Sequence, residues 1–266
     1  MKRIITVLGI ISVFLLAGCA EADTNDLVVG LECNYAPFNW TTSEETTTTV
    51  SVDGVDAYCD GYDVMIASHI ADELGMDLVI RKIEWDGLIP ALLADEIDVI
   101  IAGMSPTPER ALTVSFTNEY YRSEQVLVVQ ANGEYASATD LSAFNGAAVI
   151  AQMGTLQDGL ITQITGVSHL NALGDYPSLV ASVSSGVADA LVAELPVAQS
   201  IVASNSGLTI VQLGVNGFTV DDSDVSVSVA VRQEETDLLN SINEVLAALS
   251  AETRTEWMAT ALDIQP

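Results

Sequence analysis

The sequence predicts an α/β protein made of two lobes that face each other across a cleft. Two observations carry this. From residue 27 onward, strand-like and helix-like patterns alternate, which is how a largely parallel sheet covered by helices reads. In addition, ALLADEIDVIIAG (91–103) runs from helix through an acidic turn into a strand, and LVASVSSGVADALVAE (179–194) repeats that course in the second half. Ligands of open α/β sheets sit beyond the carboxyl ends of strands, so two such lobes turned toward each other enclose a cleft. The 266 residues suffice for one large domain or two modest ones, and 49% apolar content excludes a disordered chain.

At the start, Lys2 and Arg3 form a basic n-region and Ile4 to Ala17 an apolar stretch too short for a comfortable membrane span. Residues 1–18 therefore read as a lipoprotein signal peptide. Leu16-Ala17-Gly18-Cys19 resembles a bacterial lipobox, which implies cleavage before Cys19, lipidation of that cysteine and anchoring to the outer face of a cell membrane. Residues 19–25 would be a polar tether.

LVVGL (27–31) is a short apolar strand, and CNYAPFNW (33–40) a loop interrupted by Pro37. Val64, Ala67, Ile70, Ala71 and Leu74 have helical spacing, closed by Gly75. MDLVIRKIE (76–84) is a strand. Trp85-Asp86-Gly87 starts a helix through Ala94, with Pro90 near its first turn. IDVIIAGM (97–104) is a strand buried on both faces, and EQVLVVQ (124–130) another. The polar ANGEYASATD (131–140) ends the first lobe. The second begins with strand AAVIAQMG (147–154), followed by helices LQDGLITQI (156–164) and YPSLVASVSSG (176–186). Strand ADALVAE (188–194), helix PVAQSIVAS (196–204) and strands LTIVQLG (208–214) and VSVSVAVR (225–232) follow. Residues 235–262 form one or two helices.

Eight basic residues stand against 37 acidic ones, a net charge of −29. That excludes nucleic acid as a partner and polybasic docking on anionic lipid. Two cysteines remain beyond Cys19. In an exported chain, Cys33 and Cys59 are expected to form a disulfide across a threonine-rich loop, the alternative being two buried thiols. His69 sits within a helix and His169 in a polar stretch. No metal-spaced His/Cys cluster, Gly-rich phosphate loop or GxSxG occurs, so no metal, cofactor or catalytic residue is expected.

AGMSPTPERA (102–111) places Arg110 just past a strand end. A guanidinium there suits a carboxylate, which it can hold bidentately, although an arginine alone would equally form a surface ion pair.

Together, WDGLIPALLADEIDVIIAGMSPTPERA (85–111), FTNEYYRSEQVLVV (116–129), LVVGLECNYAPFNW (27–40), GYDV (61–64), AQMGT (151–155) and DALVAELPVA (189–198) resemble the bacterial extracellular solute-binding proteins of family 3. These are the amino-acid receptors of ABC importers. The resemblance implies a periplasmic-binding-protein type II fold, the "Venus flytrap", with two crossing hinge strands near VLVVQ and DVSVSV. Lobe 1 would hold residues 26–126 plus 222–266 and lobe 2 residues 131–220. It further implies a monomer that takes a free L-amino acid and hands it to membrane permease subunits.

Carried over residue by residue, Arg110 matches the family's clamp on the ligand carboxylate, with Ser105 and the backbone at Gly103 beside it. Gly154 and Thr155 match the loop of the second lobe that meets the same carboxylate. Glu194 stands where the family has aspartate accepting from the ligand ammonium. Tyr35 and Tyr62 match the two aromatic positions around the ligand side chain. Glu32 matches an acid at its far end, one methylene longer than usual, and Gln152 a variable contact position. Glu32 and Gln152 favour a polar or cationic ligand. Two other readings of the scaffold are a cyclohexadienyl (prephenate or arogenate) dehydratase, which needs a general acid such as Glu194 or Glu32, and a sensory domain. No signalling module follows the last helix, so a free-standing receptor is the simpler expectation.

Overall fold

The computed structural model describes residues 25–266. The expected signal peptide (residues 1–18), Cys19 and nearly all of the expected tether lie outside them. Strand β1 (Asp26–Leu31) opens the fold, and four short strands follow: β2 (Asn34–Tyr35), β3 (Asn39–Thr42), β4 (Val50–Ser51) and β5 (Tyr58–Asp60). Helix α1 (Tyr62–Leu74), β6 (Asp77–Lys82), α2 (Leu88–Leu93), β7 (Val99–Ile100) and β8 (Val114–Arg122) come next. The second half contains β9 (Gln125–Gln130), β10 (Ala148–Ile150), α3 (Leu156–Leu160), β11 (Ser168–His169) and α4 (Tyr176–Ser184). It continues with β12 (Ala190–Glu194), α5 (Leu195–Ser204) and β13 (Leu208–Val211). The chain ends with β14 (Ser226–Arg232), α6 (Thr236–Ala248) and α7 (Ala251–Ile264).

Two five-stranded sheets result, ordered β6-β1-β7-β14-β8 and β11-β10-β12-β9-β13. In each, four strands run in one direction, and the one that enters after a crossing, β14 or β9, runs antiparallel to its neighbours on both sides. The echo between the halves is thus one topology used twice. β14 is buried along its whole length, as its SVSVAVR sequence requires for a strand inserted between β7 and β8. The chain crosses between the sheets at Ser123–Glu124 and again over residues 212–225. There the two crossings run side by side, with the Ser123 N–H donating to the Val225 carbonyl at 2.8 Å. Gln125 and Val126, counted with the first lobe in the sequence reading, pair with Glu194 and Ala193 in the second sheet.

The CNYAPFNW segment is not wholly irregular. β2, β3, β5 and β4 pair into a small antiparallel sheet beside β6, and a Cys33–Cys59 disulfide with Cα atoms 5.7 Å apart joins the residue before β2 to β5. Gly61 then turns the chain into α1 at φ 126°, and a Cβ there would lie 2.4 Å from the Phe38 carbonyl oxygen.

The C-terminal segment is two helices, not one. Leu249 leaves the helical region, and the Ser250 hydroxyl accepts from the Thr253 N–H at 3.0 Å, capping α7. Ser250→Ala is expected to cost about 1 kcal/mol, lowering Tm by roughly 2–4 °C in a calorimetric scan. No shift would show the cap to be idle. The far end of α7 reaches the second lobe, where the Ser204 hydroxyl donates to the Pro266 carbonyl at 3.0 Å.

Candidate functional site

The carboxyl ends of both parallel sheets face the same cleft, and the polar side chains gather there. On the first lobe, β7 leads into a loop whose Gly103 adopts φ 63°. A Cβ there would lie 2.6 Å from the Tyr35 ring, so only glycine lets the loop pack against Tyr35. The loop then turns through Ser105 to Arg110. The Arg110 guanidinium donates to the Ser105 carbonyl at 2.9 Å and lies over the Trp85 ring, 4.9 Å from its centroid. Burial lowers its pKa, against the opposing pull of Glu194 and Glu109.

On the second lobe, β12 ends at Glu194, which is 4% exposed. Its two carboxylate oxygens accept from the Tyr35 hydroxyl and from Gln157 Nε2, the latter at 2.6 Å. Gln157 also donates to Gln125 at the start of β9. Burial raises the Glu194 pKa, while Tyr35, Gln157 and the charge of Arg110 act to lower it. The Thr155 hydroxyl donates to the Gln152 carbonyl at 2.7 Å and accepts from the Asp158 N–H, capping α3.

Among the described residues, four hydrogen bonds join the lobes across the cleft. Tyr35 donates to Glu194, and Gln152 Nε2 donates to Glu32 at 2.8 Å. Trp85 and Arg110 both donate to the Gly154 carbonyl, at 3.3 and 3.2 Å. The cavity they surround is lined by Tyr35, Trp85, Gly103, Ser105, Arg110, Gln152, Thr155, Leu156, Gln157, Tyr176 and Glu194.

Beneath the first-lobe wall lies a polar network. Asp63, fully buried, accepts from Asn39 at 2.8 Å and from the Tyr120 hydroxyl at 2.7 Å, and that hydroxyl accepts from the Gly103 N–H. Burial lifts the Asp63 carboxyl to about 7. The network ties the Gly103 loop to α1, β3 and β8.

Most of the sequence-derived candidates therefore converge. Arg110, Ser105, Gly103, Tyr35, Gln152, Thr155 and Glu194 line the cavity. Gly154 contributes its carbonyl at the lobe contact, and Glu32 lies behind Gln152. Tyr62 is a correction. It is fully buried, its hydroxyl donating to the Tyr120 carbonyl and its ring packing on Phe38, Tyr120 and Tyr121. As the first residue of α1, after the Gly61 turn, it points into the core and does not line the cavity. The aromatic wall is made instead by Trp85 and by Tyr176, whose ring lies 4.8 Å from Tyr35. Sequence reading missed Tyr176, Gln157 and Leu156 and took Trp85 only as a helix start. All four follow the carboxyl end of a sheet strand at a helix start, so the strand-end rule carried a usable signal.

Arg122 pairs with Glu119 and Asp222 outside the cavity. The described residues include no cluster of three or more His, Cys, Asp or Glu arranged to hold a metal ion, and no helix long and apolar enough to cross a membrane.

A model of the bacterial extracellular solute-binding proteins, family 3, matches residues 27–260. The chain is 32% identical over 190 residues to a probable histidine-binding protein of Campylobacter jejuni, covering 71% of this chain and 68% of that one. It is similar to an amino acid ABC transporter substrate-binding protein of Streptococcus pneumoniae, solved bound to L-arginine, with a TM-score of 0.79 and 28% identity over 90% of this chain and 94% of that one. It is also similar to an ancestral arginine-binding protein solved bound to glutamine, with a TM-score of 0.73 and 28% identity over 89% and 97% of the two chains.

Proposed function

Because this chain belongs to the bacterial extracellular solute-binding proteins, family 3, we propose that it is the extracytoplasmic receptor of an amino-acid ABC importer. It binds a polar or cationic L-amino acid between its lobes and delivers it to the permease. The observation that carries this reading is the pairing of charges across one cavity, with Arg110 on the first lobe and Glu194 on the second. Arg110, Ser105 and the loop at Thr155 take the α-carboxylate. The α-ammonium displaces the Tyr35 hydroxyl from Glu194. Since the two groups belong to different lobes, a ligand carrying both favours the closed state, which is population shift by differential affinity.

Three further points support a polar or cationic side chain. Gln152 lines one end of the cavity, with Glu32 behind it. Among the described residues no second cation lines it, which disfavours an acidic side chain. The similar structures hold arginine and glutamine. In this reading Cys19 carries the lipid anchor, the protein works as a monomer outside the cell membrane, and no cofactor takes part. Lobe 1 comprises residues 26–124 with 222–266, and lobe 2 most of the segment between.

A second reading, a dehydratase acting on prephenate or arogenate, has the raised carboxyls of Glu32 and Glu194 in its favour as general acids. One experiment separates the two: a thermal-shift panel of the twenty L-amino acids, with prephenate as control, on protein freed of co-purified ligand. A polar or cationic amino acid at about 100 times its Kd is expected to add about 2.7 kcal/mol. A shift with prephenate alone would favour the enzyme, and no shift with any amino acid would overturn the receptor.

A further inference from the structure

Glu32 follows the last residue of β1 and is 1% exposed. One carboxylate oxygen accepts from Gln152 Nε2 at 2.8 Å, and the other is buried without a partner. Gln152 cannot serve both oxygens, because the same Nε2 also donates to the Gly174 carbonyl at 3.0 Å. The charged groups acting on Glu32 are all acidic: Glu84 before the Trp85 turn, Asp63 at the start of α1, and Asp175 at the start of α4. Tyr176, the first residue of α4, faces it with an acceptor or a neutral donor. Lys82, opposite Leu31 in the sheet, is turned to the Thr41 hydroxyl at 3.2 Å. A closed cleft therefore holds one carboxylate oxygen in need of either a cation or a proton.

We infer that Glu32 lets one site accept two classes of side chain, staying ionised when the cleft closes on a cationic one and taking up a proton from solvent when it closes on a neutral polar one. Ionised, it accepts from a guanidinium or ammonium. Protonated, it donates to an amide or imidazole acceptor. The inference rests on the receptor reading above and names the ligands of that same site.

The sign of the pH dependence follows. With the lobes apart, water reaches Glu32, which outweighs the loss of the bond from Gln152 and returns it toward the ordinary value of 4.5; buried, it is pushed up to about 8 by desolvation. A group raised in the closed state costs nothing below the lower value, and its neutral form is progressively harder to supply as pH rises toward the upper one. Affinity for neutral ligands thus falls across that window. Affinity for cationic ligands does not, because the ligand's charge holds Glu32 ionised throughout.

The test uses L-arginine and L-glutamine as probes on the intact receptor, by titration calorimetry in two buffers of different ionisation enthalpy. Comparing the two ligands cancels every titration they share, including those of Glu194, Asp63 and the α-ammonium. Near pH 7, glutamine is expected to bind with uptake of about one proton more than arginine, and the ratio of their Kd values to rise by up to about tenfold per pH unit below the upper value. Glu32→Gln should flatten that ratio and weaken arginine while sparing glutamine. Equal proton uptake for the two ligands, an unchanged slope in Glu32→Gln, or binding of only one ligand at every pH overturns the inference while leaving the receptor intact. Binding of neither probe, nor of any other amino acid, overturns the receptor and this inference with it.

Discussion

Replacing Arg110 by alanine is expected to weaken amino-acid binding by about 2–5 kcal/mol, or roughly thirtyfold to several thousandfold in Kd. The described basic residues other than Arg110 are committed elsewhere. Arg81 pairs with Asp53, Lys82 meets Thr41, and Arg122 pairs with Glu119 and Asp222. Arg232 is held by Asp95, Asp98 and Glu235, and Arg254 by the carbonyls of Glu119 and Leu246. Nothing can substitute for the lost guanidinium. Arg110→Lys should fall between the two, since it restores the charge without the planar fork and without the stacking on Trp85. The ligand-free protein should lose little stability, because Arg110 is desolvated at some cost and bonds mainly to carbonyls at the cleft edge. Calorimetric titration together with the Tm of the free variant checks both statements. Unchanged affinity in Arg110→Ala would remove the carboxylate clamp from the site.

The double variant Cys33→Ala/Cys59→Ala is expected to lose about 3.5 kcal/mol through loop entropy alone. The bridge closes a loop with a sequence separation of 26 residues, and both cysteines are at most 1% exposed. For a chain of this size the loss corresponds to roughly 7–14 °C in Tm. Strands β2 to β5 are two to four residues long and pair mainly with one another, so beside the bridge they rest on core side chains such as Phe38 and Trp40 and on the Asn39–Asp63 bond. Tyr35 lies within this unit, and binding should weaken along with stability. Melting the unaltered protein with and without reductant gives the same comparison independently. Coincident melting curves would mean that the bridge contributes nothing to the native state.

Much of the fold was legible because long elements carry a clear period. The stretch around α1, the buried runs of β7 and β12 and the repeated helix–turn–strand course all fix their own types. Two regions were not. β8 contains Phe116, Tyr120 and Tyr121, and its pairing with β14 shifts register twice, which destroys the alternation that marks a strand. The small sheet fails for the opposite reason, since strands this short show no period and are held by a covalent bond and by packing on β6 and α1. At the site, Arg110 stood out because it lies just past a strand end inside a stretch that resembles the family; alone, it would equally have read as a surface ion pair. Tyr62 misled because a motif position gives a residue type but not a side-chain direction, which here is set by the Gly61 turn. Gln157 carried only the signal of its place after a strand end, for nothing in its residue type distinguishes a glutamine bonded to Glu194 from one in solvent.

The position of β14 has a consequence for the order in which the molecule is completed. The second sheet draws its strands from one continuous stretch, β9 to β13, and can close once Val211 has emerged. The first cannot, since β7 and β8 do not pair with each other and wait for residues 226–232 to fill the gap between them. During N-to-C synthesis or threading through a membrane, the first-made half therefore matures last. Until then its exposed strand edges and apolar faces are open to other chains. A truncation between Val211 and Arg232 should leave a folded second lobe attached to an unfinished first one, a vulnerability that no reading of the finished cleft would reveal.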